Sequence, residues 1–168
     1  MEEAASRDGA DTRSGRVPSG GRLEAIWRKP ARREPMERLA EARLVEGEGL
    51  AGNADIGGRR QVTVIAREAW RRAQEELGRE VDPAARRANL LVTGVELAGS
   101  DGRLLAVGPC RIRVRGETTP CGRMDEAADG LQEALEPEWR GGVYGEVVAG
   151  GPLRVGDPVH WAGGDEES

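Results

Sequence analysis

The 168 residues include two cysteines, one histidine and one lysine. No apolar run comes near the roughly 18 residues needed to span a bilayer. Two cysteines give no disulfide framework. One histidine, His160, with two cysteines does not furnish a structural zinc site. It sits in Gly156-Asp157-Pro158-Val159-His160-Trp161 and reads as a strand residue without a catalytic partner. No Walker-type loop and no strand-linked GxGxxG is present. A net charge of −5 argues against general affinity for nucleic acid. Met1 to Gly21 is polar and lacks the apolar centre of a secretory signal. These absences set the expectation of a cytoplasmic protein without membrane or nucleic-acid partners. The length suits one domain with a real core.

Glycine is abundant, with 25 residues breaking the chain into short apolar runs. Leu23–Trp27, Gln61–Ile65, Leu90–Val95, Arg103–Val107, Cys110–Arg115, Val143–Val148 and Pro158–Trp161 all read as strands. Ser100-Asp101-Gly102 is a hairpin signal between two of them. Two stretches have helical spacing instead. Ala66–Leu77 places Ala66, Ala69, Trp70, Ala73 and Leu77 on one face, with Gly78 as a stop. Arg123–Leu135 does the same with Met124, Ala127, Ala128, Leu131 and Leu135, weakened by Gly130 and closed by Pro137. The fold class expected is mainly β with short helices, arranged as a barrel or sandwich. Residues 1–20 and 162–168 are too polar to join a core and read as disordered tails. That leaves 21–161 as the domain.

The two cysteines have different settings. In Cys110-Arg111-Ile112-Arg113-Val114-Arg115 the even positions are apolar and the odd ones arginine, which is strand periodicity. Cys110 then belongs to a core row, where a thiol behaves as a small hydrophobe. Cys121 follows Pro120, precedes Gly122 and stands two residues from Arg123, ahead of the second helical stretch. A helix N-terminus and a cation both favour the thiolate, the nucleophilic and metal-binding form. Cys121 is therefore the chemical cysteine.

Charge is unevenly spread. Residues 59–115 hold 12 basic and 7 acidic side chains, and 116–168 hold 3 and 12. Either the two halves complement each other, or the middle builds a cationic pocket for an anion. Almost every cation is arginine, which suits bidentate binding of carboxylate or phosphate and equally follows from a GC-rich genome. Arg86-Arg87-Ala88-Asn89 puts two guanidinium forks and an amide at the mouth of an apolar strand. Trp139-Arg140-Gly141-Gly142 sets another arginine beside backbone that a ligand could approach closely. Gly47-Glu48-Gly49-Leu50-Ala51-Gly52-Asn53 is a third glycine-rich turn. Lys29 lies in Trp-Arg-Lys-Pro, not a Schiff-base motif, so no covalent pyridoxal phosphate is expected.

Six segments, in order, resemble the MOSC family, named from the C-terminal domain of molybdenum cofactor sulfurase. They are Gly49-Leu50-Ala51-Gly52, Arg59–Ile65, Arg87–Gly94, Pro120-Cys121, Arg140-Gly141-Gly142 and Gly151–Asp157, spread over 21–161. The resemblance is to a stand-alone bacterial-type member and implies a MOSC-type β-barrel with its cysteine at a ligand site. Such domains are thought to carry sulfur as a persulfide, and in amidoxime-reducing relatives the cysteine ligates molybdenum of a pterin cofactor. Cys121 would then be the sulfur-bearing or metal-ligating residue. Arg87, Asn89, Arg123 and Arg140 would bind the anionic part of a molybdenum cofactor, Arg123 by its nearness to Cys121.

Implied partners are a pyridoxal-phosphate-dependent desulfurase as sulfur donor, or a molybdoenzyme. Two other readings stand beside this one: a non-catalytic module for an anionic small molecule or partner enzyme, and a molybdenum-dependent reductase of N-hydroxylated compounds. The chain departs from the family at Asn53, where many relatives carry aspartate; Asp55 is close by. The resemblance does not include the N-terminal β-barrel domain of longer reductase-type relatives.

Overall fold

Seven apolar runs pair edge to edge until the sheet closes on itself. The computed structural model describes residues 20–54 and 56–162. Both expected tails fall almost wholly outside those residues, as does Asp55. The strands are β1 (Gly21–Arg28), β2 (Glu37–Leu39), β3 (Glu41–Val45), β4 (Gly49–Leu50), β5 (Val62–Ala66) and β6 (Leu90–Thr93). They continue with β7 (Leu104–Val107), β8 (Cys110–Glu117), β9 (Val143–Ala149), β10 (Gly151–Arg154) and β11 (Pro158–Trp161). The barrel runs β11-β7-β8-β9-β5-β6-β1, and a β1–β11 pairing closes it. β2 continues from β1, and β10-β3-β4 form a separate small sheet. All seven expected strands are barrel strands. The four additional ones, β2, β3, β4 and β10, lack a sustained apolar period.

β5 and β6 are the parallel pair, joined through helix α1 (Arg67–Leu77). A wall with a crossover helix packed on it is apolar on both faces. Val62, Val64, Leu90 and Val92 join the barrel core with Leu23 and Ile26. Ile65 and Leu91 turn outward to Trp70, Ala73, Leu131 and Leu135 in a second core. That double burial is why β1, β5 and β6 are nearly continuous apolar runs. β8, by contrast, keeps the expected alternation, with Cys110, Ile112 and Val114 buried and the arginines between them outside.

Helix α1 ends as its sequence indicates, at Gly78, whose φ of 79° suits glycine and whose N–H donates to Gln74 O. The second helical stretch is corrected by the structure. It is two five-residue helices, α2 (Arg123–Ala127) and α3 (Leu131–Leu135). Ala128 is extended and Gly130 is left-handed (φ 87°), so the helix breaks there while Ala128 and Leu131 still reach the same core. The hairpin expected at Ser100-Asp101-Gly102 does not form either. Both edges of β6 are taken, by β1 and β5, so β7 pairs with β8 and β11 instead. The turn feeds that second ladder: Gly102 N–H donates to Val114 O at 2.8 Å and Val114 N–H to Arg103 O at 2.9 Å.

Candidate functional site

Segments just beyond the strand ends converge on one open pocket of about 360 Å³. Lys29 follows β1, Gln61 precedes β5, Asn89 precedes β6 and Thr118 follows β8. The lining also includes Asn53, Arg60, Arg86, Arg87, Cys121 and Gly141. Four cations line the pocket, and among the described residues no carboxylate does. Cys121 is exposed and lies on this lining. The cationic-pocket alternative is thus realised, alongside charge complementarity elsewhere, such as Arg115 with Glu146 at 2.9 Å.

Arg86 fixes the thiol-bearing segment. Its Nε donates to Gly141 O at 2.9 Å and its Nη2 to Thr118 O at 2.8 Å. Thr118 adds its own hydroxyl to Gly141 O at 2.8 Å and its N–H to Gly142 O at 2.9 Å. One planar guanidinium therefore ties the residues before Cys121 to the turn before β9. Burial lowers the pKa of Arg86, the Cys121 thiolate opposes that shift, and Arg60 adds to it. Arg60 itself lies over the Tyr144 ring, 4.9 Å from its centroid.

Asn89 is buried and uses both ends of its amide on the frame. Its Oδ1 accepts from Thr63 N–H at 3.1 Å and the Thr63 hydroxyl at 3.3 Å. Its Nδ2 donates to Trp27 O at 3.1 Å and Asn53 Oδ1 at 3.3 Å. Asn53 Oδ1 also accepts Lys29 N–H at 2.8 Å. Asn53 thus forms a neutral clamp with Lys29 and Asn89 and adds no negative charge to the pocket. Asn89 touches the pocket as a positioning residue for β1, β5 and β6.

The other site expectations separate. Arg87 lines the pocket in a left-handed conformation (φ 63°), capping the 3-10 turn Pro83–Arg86. Arg123 lies next door, in a compartment with Lys29, Arg32, Arg33 and Arg87. Arg140 lines neither space. It is buried, donates to Ala134 O at 3.0 Å and pairs with Glu76 at 2.9 Å, which raises its pKa. The glycines after it are needed by the fold, and Gly141 also lines the pocket. A Cβ on Gly142 (φ 99°) would meet Val64 O at 2.3 Å, and one on Gly141 would meet Thr118 O at 2.7 Å. The helix expected to start behind Cys121 is only the short α2, so the positive charge near the thiol comes from the pocket wall. His160 is exposed on β11, outside the lining.

The sequence marks Arg86 with Arg87 as a pair of guanidinium forks at a strand mouth, and the pocket contains both; Lys29, Arg60 and Thr118 were not among its candidates. Arg59-Arg60 opens β5 much as Arg86-Arg87 precedes β6, a repeated signature that would have found Arg60.

The two thiols should differ in reactivity. Cys110 is buried, its Sγ donates to Gly151 O at 3.4 Å, and burial raises its pKa. Native protein at neutral pH should take up one equivalent of iodoacetamide, mapped by peptide mass spectrometry to Cys121. Cys110 should react only after unfolding. Equal labelling of both thiols in the folded state contradicts this geometry.

Barrel, crossover helix and one exposed thiol in a basic pocket define a β-barrel protein with a cationic cysteine-bearing pocket at its strand ends. Residues 31–160 match the MOSC domain family, and the chain belongs to it. Solved structures agree in fold. The YUAD protein from Bacillus subtilis superposes with a TM-score of 0.72 at 17% identity, covering 83% of this chain and 94% of that one. YiiM from Geobacillus stearothermophilus gives 0.65 at 15% identity, with 85% and 75% covered. YiiM from Escherichia coli gives 0.64 at 19%, with 84% and 70% covered. A search of the curated proteins found no match. Among the described residues no helix is long and apolar enough to cross a membrane.

Proposed function

We propose that the pocket receives an anionic sulfur- or molybdenum-bearing group and that Cys121 is the atom to which that group is attached. The observation that carries this reading is the exposed Cys121 thiol on a lining with Lys29, Arg60, Arg86 and Arg87 and no described carboxylate. As a sulfur carrier, the Cys121 thiolate attacks the terminal sulfur of a donor persulfide. A new S–S bond forms, the donor's S–S bond breaks, and the donor leaves as a thiolate, with no net oxidation. A desulfurase using pyridoxal phosphate is the class of enzyme that would present such a donor.

Molybdenum cofactor fits the donor set as well. No group of three or more His, Cys, Asp or Glu among the described residues could hold a bare metal ion. This chain would supply one soft sulfur ligand, with the remaining coordination coming from the cofactor. When bound, the cofactor supplies a metal that exchanges oxygen and electrons with a substrate. Cys121 would hold it, while Arg87, with a planar guanidinium suited to phosphate, and Lys29 and Arg86, through their charge, would neutralise its phosphate. Arg86 also fixes the segment that carries the thiol.

Native mass spectrometry with metal analysis tests the reading. Protein purified from its own host should carry an added sulfur atom releasable by cyanide, or molybdenum. Cys121→Ser should lose it and Cys110→Ala should keep it. Equal loss in both variants, or retention in both, rejects Cys121 as the attachment point. If neither sulfur nor molybdenum is found but anions still bind, a non-catalytic anion-binding module is the better description.

A further inference from the structure

The compartment beside the Cys121 pocket is lined by cations alone: Lys29, Arg32, Arg33, Arg87 and Arg123, around about 270 Å³. They come from separate parts of the chain. Arg32 and Arg33 lie between β1 and β2, Arg87 caps the turn before β6, and Arg123 begins α2. Lys29 and Arg87 line both spaces, so the two adjoin. We propose that this compartment is a second anion subsite, and that the ligand of the two adjoining pockets carries two linked phosphates. The inference rests on the reading that the Cys121 pocket takes an anionic ligand, and it specifies the class of that ligand.

Charge and shape both support it. Among the described residues, no ion pair engages Arg32, Arg33, Arg87 or Arg123, although the chain holds 30 acidic residues against 25 basic ones. Elsewhere arginines are paired, as Arg28 with Glu37 and Arg67 with Glu24. Like charges gathered around a concavity repel one another, and a bound polyanion turns that repulsion into attraction. Arg33 and Arg87 are also left-handed, with φ of 67° and 63°, Arg87 as the cap of the 3-10 turn before β6. Two adjoining concave spaces that share Lys29 and Arg87 suit a diphosphate better than the broad flat face an acidic protein segment would need.

Calorimetric titration of the full chain with inorganic pyrophosphate and with orthophosphate at physiological salt tests this. Pyrophosphate should bind about tenfold tighter or better. The double variant Arg32→Ala with Arg33→Asn should bring pyrophosphate down to the orthophosphate level and leave orthophosphate unchanged. Asparagine is chosen at 33 because it tolerates left-handed backbone, and unaltered thermal unfolding checks the fold. Cys121→Ser should keep the pyrophosphate preference, which separates this inference from the thiol reading. Sulfur found on Cys121 without any phosphate discrimination overturns the second subsite alone. Equal affinity for the two anions, wild-type behaviour of the double variant, no binding of either, or binding only of an acidic peptide also overturns it.

Discussion

Arg86→Ala should lower unfolding stability by roughly 2–4 kcal/mol and loosen the Thr118–Cys121 segment, although position 86 lies in no strand. Arg86 donates to Gly141 O at 2.9 Å and to Thr118 O at 2.8 Å, so the truncation strips a charged donor from two carbonyls. Thr118 is itself buried, which limits how far water can replace the lost donors. Part of the support survives, because the Thr118 hydroxyl still reaches Gly141 O. The local consequence should be the clearer one. Limited proteolysis should cut the variant within 118–122 while the wild type resists. Arg86→Lys should restore little, since an ammonium on a flexible stem does not span two carbonyls as a planar fork does. Urea unfolding within about 0.5 kcal/mol of wild type, together with unchanged cleavage, would mean that Arg86 does not hold the segment.

Asn89→Ala should cost about 3 kcal/mol. The side chain is buried, and its removal leaves Thr63 N–H and Trp27 O without these amide partners inside the wall. Asn89→Asp is the sharper test. It keeps the acceptor for Thr63 but loses the donor to Trp27 O and places a carboxylate in a buried position. It should therefore be no more stable than the alanine variant at neutral pH. Both substitutions also release Asn53 from Asn89, so anion binding at the pocket should weaken along with thermal stability. An aspartate variant as stable as wild type would show that the amide nitrogen contributes nothing.

The barrel strands were legible because burial on both faces, or on one face in strict alternation, writes itself into short-range order. Cys110, Ile112 and Val114 show the second pattern, and Leu90, Leu91 and Val92 the first. β3 was not legible, since Leu44 is its one fully buried side chain. β10 carries Pro152 and is an edge strand of the small sheet, where a missing N–H is tolerated. The hairpin at Asp101-Gly102 was misread for a different reason. Turn chemistry specifies the bend, but which strands pair across it depends on which edges remain free. In the same way, the apolar spacing of 123–135 identified Met124, Ala128, Leu131 and Leu135 as packed on the second core, but included Ala127, which is exposed, and missed the break at Gly130.

The site divides along the same line. The sequence by itself distinguished a core-row Cys110 from Cys121, because strand periodicity is a local property, and the family resemblance associated Arg87 and Asn89 with Cys121. The ordered segments made the family readable as well. Only the tertiary structure could bring Lys29, Arg60 and Arg86 to the pocket that Cys121 lines, turn Asn89 and Asn53 into a clamp, and take Arg140 away to Glu76. Those assignments rest on contacts between residues 24 to 64 positions apart. Hydrogen-bond partners at such separations are set by how the barrel closes, and no local pattern encodes that.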